Sequence, residues 1–165
     1  MARSRKTRKR AKGAAEEAEP TPLEAARSRM YRDLVFETSE KVFADEGFEG
    51  STMQDVAAAA GISLKTLYAT FPGKNEIYAE IVRMRGLGFL EAVRGAAAEG
   101  GGALESLEAG ARAFVAYLIE HEPFRRILLR EGRAWGLDPS VEETRDAWRA
   151  GIAHVAGILR RGMAE

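Results

Sequence analysis

The sequence predicts an all-α protein of about seven helices. Apolar residues recur at spacings of three and four, capping hydroxyls precede several of these segments, and glycine or proline follows most of them. The 165 residues contain no cysteine, which excludes a disulfide-stapled domain. No apolar run approaches the ~18 residues that a membrane helix needs. We therefore expect a cytoplasmic protein without a membrane partner.

The first predicted helix covers residues 22–46. Thr21 stands at the N-cap, Pro22 at the first helical position, and Glu24 three residues after the cap, which together form a capping box. Gly47 is expected to end the helix. One apolar stripe should face the core, and it consists of Tyr31, Leu34, Val35, Thr38, Val42 and Phe43.

Two short helices follow, separated by a glycine. Thr52 can cap the first, at 53–60, and Gly61 ends it, while Ser63 can cap the second, at 64–70. Two helices of about eight residues around a glycine-centred turn are typical of a helix-turn-helix. Apolar side chains are spaced to pack the pair together and onto the first helix, namely Val56, Ala57, Ile62, Leu67 and Phe71.

Residues 27–82 resemble the DNA-binding domain of the tetracycline-repressor (TetR) family. The resemblance rests on five segments that follow one another in the family's order, Phe43–Phe48, Ser51–Ala57, Ala60–Ser63, Thr66–Tyr68 and Phe71–Ile77. Thr38 and Ser39 stand where the family usually has alanines, and Ala69 where a larger residue is common.

The resemblance implies two domains. A three-helix DNA-binding domain would span residues 21–82, with its motif at 52–71, and a helical effector-binding and dimerisation domain would span 83–165. Family members normally have two further helices after the last one predicted here, so we expect either a short natural protein or a fragment.

By the same resemblance, four residues contact the DNA backbone. Thr52, Tyr68 and Thr70 would donate hydrogen bonds to phosphates, and Lys74 would add a charged contact at the start of the next helix. These contacts set the position on DNA and carry no sequence information. The competing interpretation is that Tyr68 is a core aromatic and Lys74 a solvated surface charge.

Five further residues would read bases, and they are Gln54, Leu64, Lys65, Thr66 and Ala69. Lys65 suits guanine, Gln54 suits adenine, and an apolar contact from Leu64 suits a thymine methyl group. One large donor among small or apolar groups indicates a sparse readout.

The zero net charge hides an uneven distribution. Residues 21–85 carry eight basic and ten acidic groups, whereas the first twelve residues carry seven basic groups and no acid. This basic tail, joined by a linker at 13–20, should be disordered in isolation. It is either a solubilising leader or an arm that neutralises DNA phosphates. The arm would consist of Arg3, Arg5, Lys6, Arg8, Lys9, Arg10 and Lys12.

The second half should form four more helices. A long helix at 75–98 contains Gly86, Gly88 and Gly95, so we expect a kink near 86–88. The next helices fall at about 104–121, 123–132 and from Ser140 onwards, and their apolar stripes must pack together. By the resemblance they enclose an effector pocket, for which core packing is the competing role of each candidate residue. The candidates are Phe89, Phe114, Tyr117, His121, Phe124, Trp135 and Trp148.

These features predict a bacterial one-component transcription regulator. It would be a repressor that binds a palindromic operator in double-stranded DNA as a homodimer and leaves it on binding an unidentified small-molecule effector. The last helix, around Trp148 and Ile152, is the candidate dimer contact. The alternative is a helical architectural or interaction module with weak DNA binding and no effector switch. We expect no enzyme, cofactor or metal, because no nucleophile–base set is present and His121 and His154 are lone histidines.

Overall fold

A computed structural model describes residues 21–130 and 142–164, with backbone alone at 142–145, 147 and 148. Over these ranges it contains seven α-helices and no strand, which confirms the all-α prediction. The basic tail, the linker, Trp135 and the side chain of Trp148 lie outside the described residues. The helices are α1 Pro22–Glu46, α2 Met53–Ala60, α3 Leu64–Thr70, α4 Lys74–Ala98, α5 Ala103–Glu120, α6 Glu122–Arg130 and α7 Glu142–Gly162.

Local capping sets both ends of α1, as the sequence predicts. The Glu24 amide donates to the Thr21 hydroxyl at 3.3 Å, and the Thr21 amide donates back to the Glu24 carboxylate at 2.9 Å. Gly47 ends the helix with φ 85°, in the region of positive φ that L side chains rarely adopt. Val35 and Phe43 of the predicted stripe are fully buried, whereas Leu34 lies at its exposed edge.

The two short helices pack against α1 and the start of α4. Val56 of α2 and Leu67 of α3 are fully buried, and each fully buried aliphatic side chain stabilises the fold by about 1.5–3 kcal/mol. Ile77 and Ile81 of α4 close the same core from the other side. The predicted packing of the helix pair onto α1 is therefore confirmed.

Helix α6 belongs to the second half of the chain but packs against α1. Its Phe124 and Ile127 are buried in the same hydrophobic cluster as Val35 and Phe43. The side chain of Arg130 donates to the backbone carbonyl of Asp45 at 2.7 Å. Because α1 has no basic residue in its last turn, this arginine caps it from another helix. The N-terminal and C-terminal parts of the chain therefore pack against each other across the domain boundary expected near residue 82.

Helices α4, α5 and α7 form the remaining body. Helix α4 continues without interruption through the glycines near its middle. A Cβ at Gly151 of α7 would lie 2.9 Å from Leu90 of α4, and one at Gly162 would lie 2.6 Å from the Cβ of Ala103. Because Ala103 follows closely on the end of α4, α7 runs alongside α4 in the same direction.

Candidate nucleic-acid interface and effector pocket

The turn between α2 and α3 is built on Gly61. This residue adopts φ 64° and ψ 28°, the left-handed conformation that glycine reaches without strain. Its amide donates to the Ala58 carbonyl at 3.1 Å, and the Ile62 amide donates to the Ala57 carbonyl at 3.1 Å. These two bonds end α2 and direct the chain to Ser63, which accepts the Thr66 amide at 3.1 Å and caps α3.

Helix α3 presents one polar face to solvent. Leu67 is fully buried on the opposite face, which anchors the helix to the core. Lys65, Tyr68 and Ala69 are exposed, and their spacing of three and four places them on one side of the helix. Tyr68 is 49% exposed, which excludes the interpretation that it is a core aromatic.

The hydroxyl groups expected to contact phosphates differ in their hydrogen bonds within the protein. The Thr52 hydroxyl donates to Asp55 at 2.6 Å, and the Thr70 hydroxyl donates to the Thr66 carbonyl at 3.0 Å. Among the described residues the Tyr68 hydroxyl makes no hydrogen bond. Tyr68 can therefore bind a phosphate without giving up an internal contact, whereas Thr52 and Thr70 would exchange one bond for another.

Lys74 is neither a solvated charge nor a group wholly available to DNA. Its ammonium donates to the backbone carbonyls of Phe48 and of Ser51, the latter at 2.8 Å. It also lies 4.4 Å from the centre of the Phe48 ring. An ammonium has three donor hydrogens, so one remains for a phosphate. Lys74 thus fixes the loop before α2 to the start of α4.

The residues expected to read bases separate into two groups. Gln54, Lys65 and Ala69 are exposed and accessible to a groove. Leu64 is half-buried against the core, and the half-buried Thr66 shares a hydrogen bond of 2.8 Å with the Ser63 hydroxyl. The sequence did not reveal this second group, because the burial of a short helix depends on how it tilts against its neighbours.

Acidic side chains offset the positive end of α2. Hydrogen bonds from the Thr52 hydroxyl and amide hold the pKa of Asp55 below its usual value. A carboxylate in the first turn neutralises the partial positive charge that would otherwise attract a phosphate. Glu76 occupies the same kind of position in α4. An anion at this surface would therefore be attracted by side-chain donors more than by helix dipoles.

A cavity of about 480 Å³ lies between α4, α5 and α7. Phe89 and Phe114, both expected there, line it and meet edge to face with ring centres 5.3 Å apart. Arg94 and His154 are the two polar side chains among the described residues that line the cavity, and the sequence did not predict either of them there. The remaining lining residues are Leu90, Val93, Ala97, Leu107, Gly110, Ala111, Gly151, Ile152, Val155, Ala156 and Leu159.

Three of the expected pocket residues lie elsewhere. Phe124 is buried between α6 and α1, because the apolar side of α6 packs on the N-terminal head. The head comprises α1, α2, α3 and the start of α4. The Tyr117 hydroxyl donates to the backbone carbonyl of Arg85 at 2.8 Å. Burial raises the pKa of Tyr117. His121 packs edge to face on the Tyr117 ring, with ring centres 4.1 Å apart.

Arg85 also forms an ion pair with Glu40 of α1, and this pair was not predicted. A signal for it was present, since Glu40 lies between buried positions on the core-facing side of α1. Neither a metal-ligand group nor a helix long and apolar enough to cross a membrane occurs in the described parts of the chain.

A helix-turn-helix whose second helix turns one polar face to solvent defines a DNA-binding protein. The family model described as "Bacterial regulatory proteins, tetR family" matches residues 35–81. The chain belongs to this TetR family of DNA-binding transcription regulators.

Solved structures share the fold. A TetR family transcriptional regulator, PfmR from Thermus thermophilus, is 30% identical with a TM-score of 0.67, over 79% of this chain and 70% of that one. A TetR-like regulator from a Rhodococcus species is 28% identical with a TM-score of 0.65, over 79% and 70%. The ketosteroid transcriptional regulator KstR2 of Mycobacterium tuberculosis is 22% identical with a TM-score of 0.70, over 81% and 68%. Among curated proteins, no sequence matches the chain significantly.

Proposed function

We propose that the protein is a repressor that binds a palindromic operator as a homodimer and leaves it on binding a small-molecule effector. The observation that carries this proposal is the exposed face of α3, where Lys65 and Tyr68 stand free of the core while Leu67 anchors the helix. A recognition helix needs this combination of a fixed backbone and accessible side chains.

We assign positioning on DNA and recognition of the DNA sequence to different residues. Tyr68 and the third hydrogen of Lys74 would bind phosphates on either side of the major groove. Gln54, Lys65 and Ala69 would face base edges, with Lys65 as the strongest donor. Leu64 and Thr66 would contribute less, because each is half-buried.

The response to effector would pass through α4. This helix begins at Lys74 beside the DNA-binding surface and forms one wall of the cavity from Phe89 to Ala97. A ligand that binds one position of α4 better than another shifts the spacing of the two heads. Coupling of this kind is typically about 1–3 kcal/mol.

Homodimerisation is part of the proposal, because a palindrome presents two half-sites about 34–36 Å apart. The contact expected around Ile152 of α7 remains part of the proposal. Ile152 also lines the cavity, together with Val155 and Leu159 of the same stripe. These three side chains remain exposed, at 56%, 40% and 48%, so a partner chain could contact the same stripe of α7.

Fluorescence polarisation with the DNA upstream of its own coding region tests the proposal. The unmodified protein should bind this DNA selectively at moderate salt, with two chains per site. Lys65→Ala should weaken selective binding about ten-fold, since a good base contact contributes about 1–3 kcal/mol. Tyr68→Phe, which removes only the hydroxyl, should weaken specific and non-specific binding alike.

Lys41→Ala is the matched control, because Lys41 is an exposed lysine of α1 outside the helix-turn-helix. It should leave the selectivity unchanged. Binding that shows no preference for any DNA sequence would favour the alternative of an architectural module with weak DNA contact.

A further inference from the structure

We propose that the cavity between α4, α5 and α7 binds an apolar molecule with one anionic head group, and that Arg94 and His154 bind the head. The inference rests on the proposed function, because it names the chemical class of the effector. Three features of the cavity support it.

The first feature is the composition of the walls. Apart from Arg94 and His154, the lining side chains are aliphatic, aromatic or absent, with Phe89 and Phe114 at one side. The volume of about 480 Å³ lies within the range of small-molecule sites, about 300–1,000 Å³. Such walls favour the burial of a hydrocarbon body and offer nothing to a ligand with polar groups distributed along its length.

The second feature is the state of the two polar side chains. The buried Nε2 of His154 has no hydrogen-bond partner in the described parts of the protein. A buried nitrogen without a partner costs free energy that a ligand oxygen would recover. Arg94 is exposed at the edge of the cavity and forms no ion pair with any described residue. Its guanidinium is always charged and matches the geometry of a carboxylate.

The third feature is their position along the helices. Gly151 of α7 lies beside Leu90 of α4, and the two helices run in the same direction. His154 is three residues beyond Gly151, and Arg94 is four residues beyond Leu90. The two residues therefore lie at a similar height along the two helices, and both line the cavity, so the proposal places one head group between them.

Charge decides between the classes of amphiphile. A cationic head would be repelled by Arg94, and no acidic side chain is among the lining residues that the structure describes. A neutral alcohol can bond to His154 but gains no charge-assisted bond from Arg94. The cavity therefore selects an anion over a neutral or cationic compound with the same apolar chain.

Isothermal titration calorimetry with the full chain, in the absence of DNA, tests this selection. The probes are decanoate and decyltrimethylammonium, each below its critical micelle concentration, and decanol below its solubility limit, all at pH 8. Decanoate should bind at least about ten-fold more tightly than the other two, as expected for a charge-assisted hydrogen bond. Equal binding of all three, or no binding of decanoate, overturns the proposal.

Substitutions assign the roles. Arg94→Gln should weaken decanoate about ten-fold and leave decanol within about two-fold, since the charge and the forked donor are lost while the apolar walls are unchanged. The matched control is Arg112→Gln, because Arg112 is an exposed arginine of α5 that pairs with Glu108 outside the cavity. His154→Phe should weaken decanoate while raising the thermal stability of the free protein, because the unpaired nitrogen is gone. An equal loss of decanol and decanoate in Arg94→Gln counts against the assignment.

Two further outcomes separate this inference from its alternatives. If a second copy of the chain fills the cavity, decanoate affinity should fall as protein concentration rises, and the proposal is then wrong. Because the titration contains no DNA, selective decanoate binding supports the cavity assignment even where the operator experiment fails. The reverse result, operator binding with no preference for the anion, would support the regulator and overturn the proposal of an anionic effector.

Discussion

Arg85 of α4 and Glu40 of α1 form a bidentate ion pair. Arg85 Nε lies 2.8 Å from one carboxylate oxygen and Nη2 lies 2.7 Å from the other, and Glu40 is only 4% exposed. The hydrogen bonds with Glu40 raise the pKa of Arg85. Because the Arg85 carbonyl also accepts the Tyr117 hydroxyl, one residue connects α1, α4 and α5.

Removing the Glu40 charge should destabilise the protein. Glu40→Gln leaves the guanidinium of Arg85, 25% exposed, without its counter-charge, and breaking a buried pair costs about 3 kcal/mol at the low end. Urea denaturation measures the loss. The double variant Glu40→Leu with Arg85→Met should lose less than the two single changes together, because no unpaired charge remains. Strictly additive losses would show that the two side chains do not act as a pair.

Gly88 makes room for the hydroxyl of Tyr117. A Cβ at this position would lie 2.8 Å from that hydroxyl oxygen, whereas a Cβ at Gly95 of the same helix would meet nothing within 4 Å. Gly95→Ala should stabilise the protein by about 1 kcal/mol, the difference in helix propensity. Gly88→Ala should gain little or nothing, because the hydrogen bond to Arg85, about 1 kcal/mol, is disturbed. Equal thermal stabilisation by both changes would argue against this role of Gly88.

The turn of the helix-turn-helix should tolerate few residues at position 61. Gly61→Ala should cost about 1–2 kcal/mol, because a Cβ strains the left-handed conformation although the space around it is open. Gly61→Asn should cost less, since asparagine adopts this conformation more readily. Thermal denaturation compares the two variants. An alanine variant as stable as the parent would mean that the turn is not held in this conformation in solution.

Stability should fall in mildly acidic solution because of His121. Burial, and secondarily the charge of Arg85, hold the pKa of His121 below its ordinary value of 6.5. The unfolded chain then binds a proton that the folded protein resists, so stability rises with pH across this window. The contribution is complete above pH 6.5 and is lost as the pH falls to the folded-state pKa.

Urea denaturation between pH 5 and pH 8 measures this slope. His121→Gln should flatten it, because the substituted side chain does not titrate. The nearby Glu120 and Glu40 act in the opposite direction and limit the effect. A slope unchanged by the substitution would assign the pH dependence to other groups.

Deleting residues 1–12 should weaken binding to all DNA sequences alike. The seven basic side chains of this segment contrast with a head that carries more acidic than basic groups. Each phosphate contact that is lost should lower the salt slope of log K by about 0.9. Polarisation titrations over a range of salt concentrations measure the slope, and an unchanged slope would show that the tail is no DNA arm.

Local signals explain why the N-terminal helices were predictable. Thr21, Gly47 and Gly61 act on the backbone within a few residues of themselves, so the bounds of α1, α2 and α3 follow from the sequence alone. The exposed face of α3 follows equally well from the burial of Leu67 and Phe71 at a spacing of four.

Contacts between distant segments of the chain were harder to predict from the sequence. Glu40 and Arg85 are 45 residues apart, so the position of Glu40 on the core-facing side of α1 indicates that it needs a partner but not which one. Phe124 was a candidate for the cavity by the family resemblance, but the apolar stripe of its helix does not reveal which neighbour covers it. Arg94 and His154 were missed for the same reason, since their level on parallel helices depends on the packing of α7.

The position of α6 bears on how the head of the protein can be studied and regulated. A fragment ending at residue 82 would lack Phe124 and Ile127, and the side of α1 that they cover would be exposed to water. Contacts with the C-terminal half therefore contribute to the stability of the DNA-binding head. Loosening of α6 alone would destabilise the head, so mutations far from the helix-turn-helix can weaken DNA binding through partial unfolding.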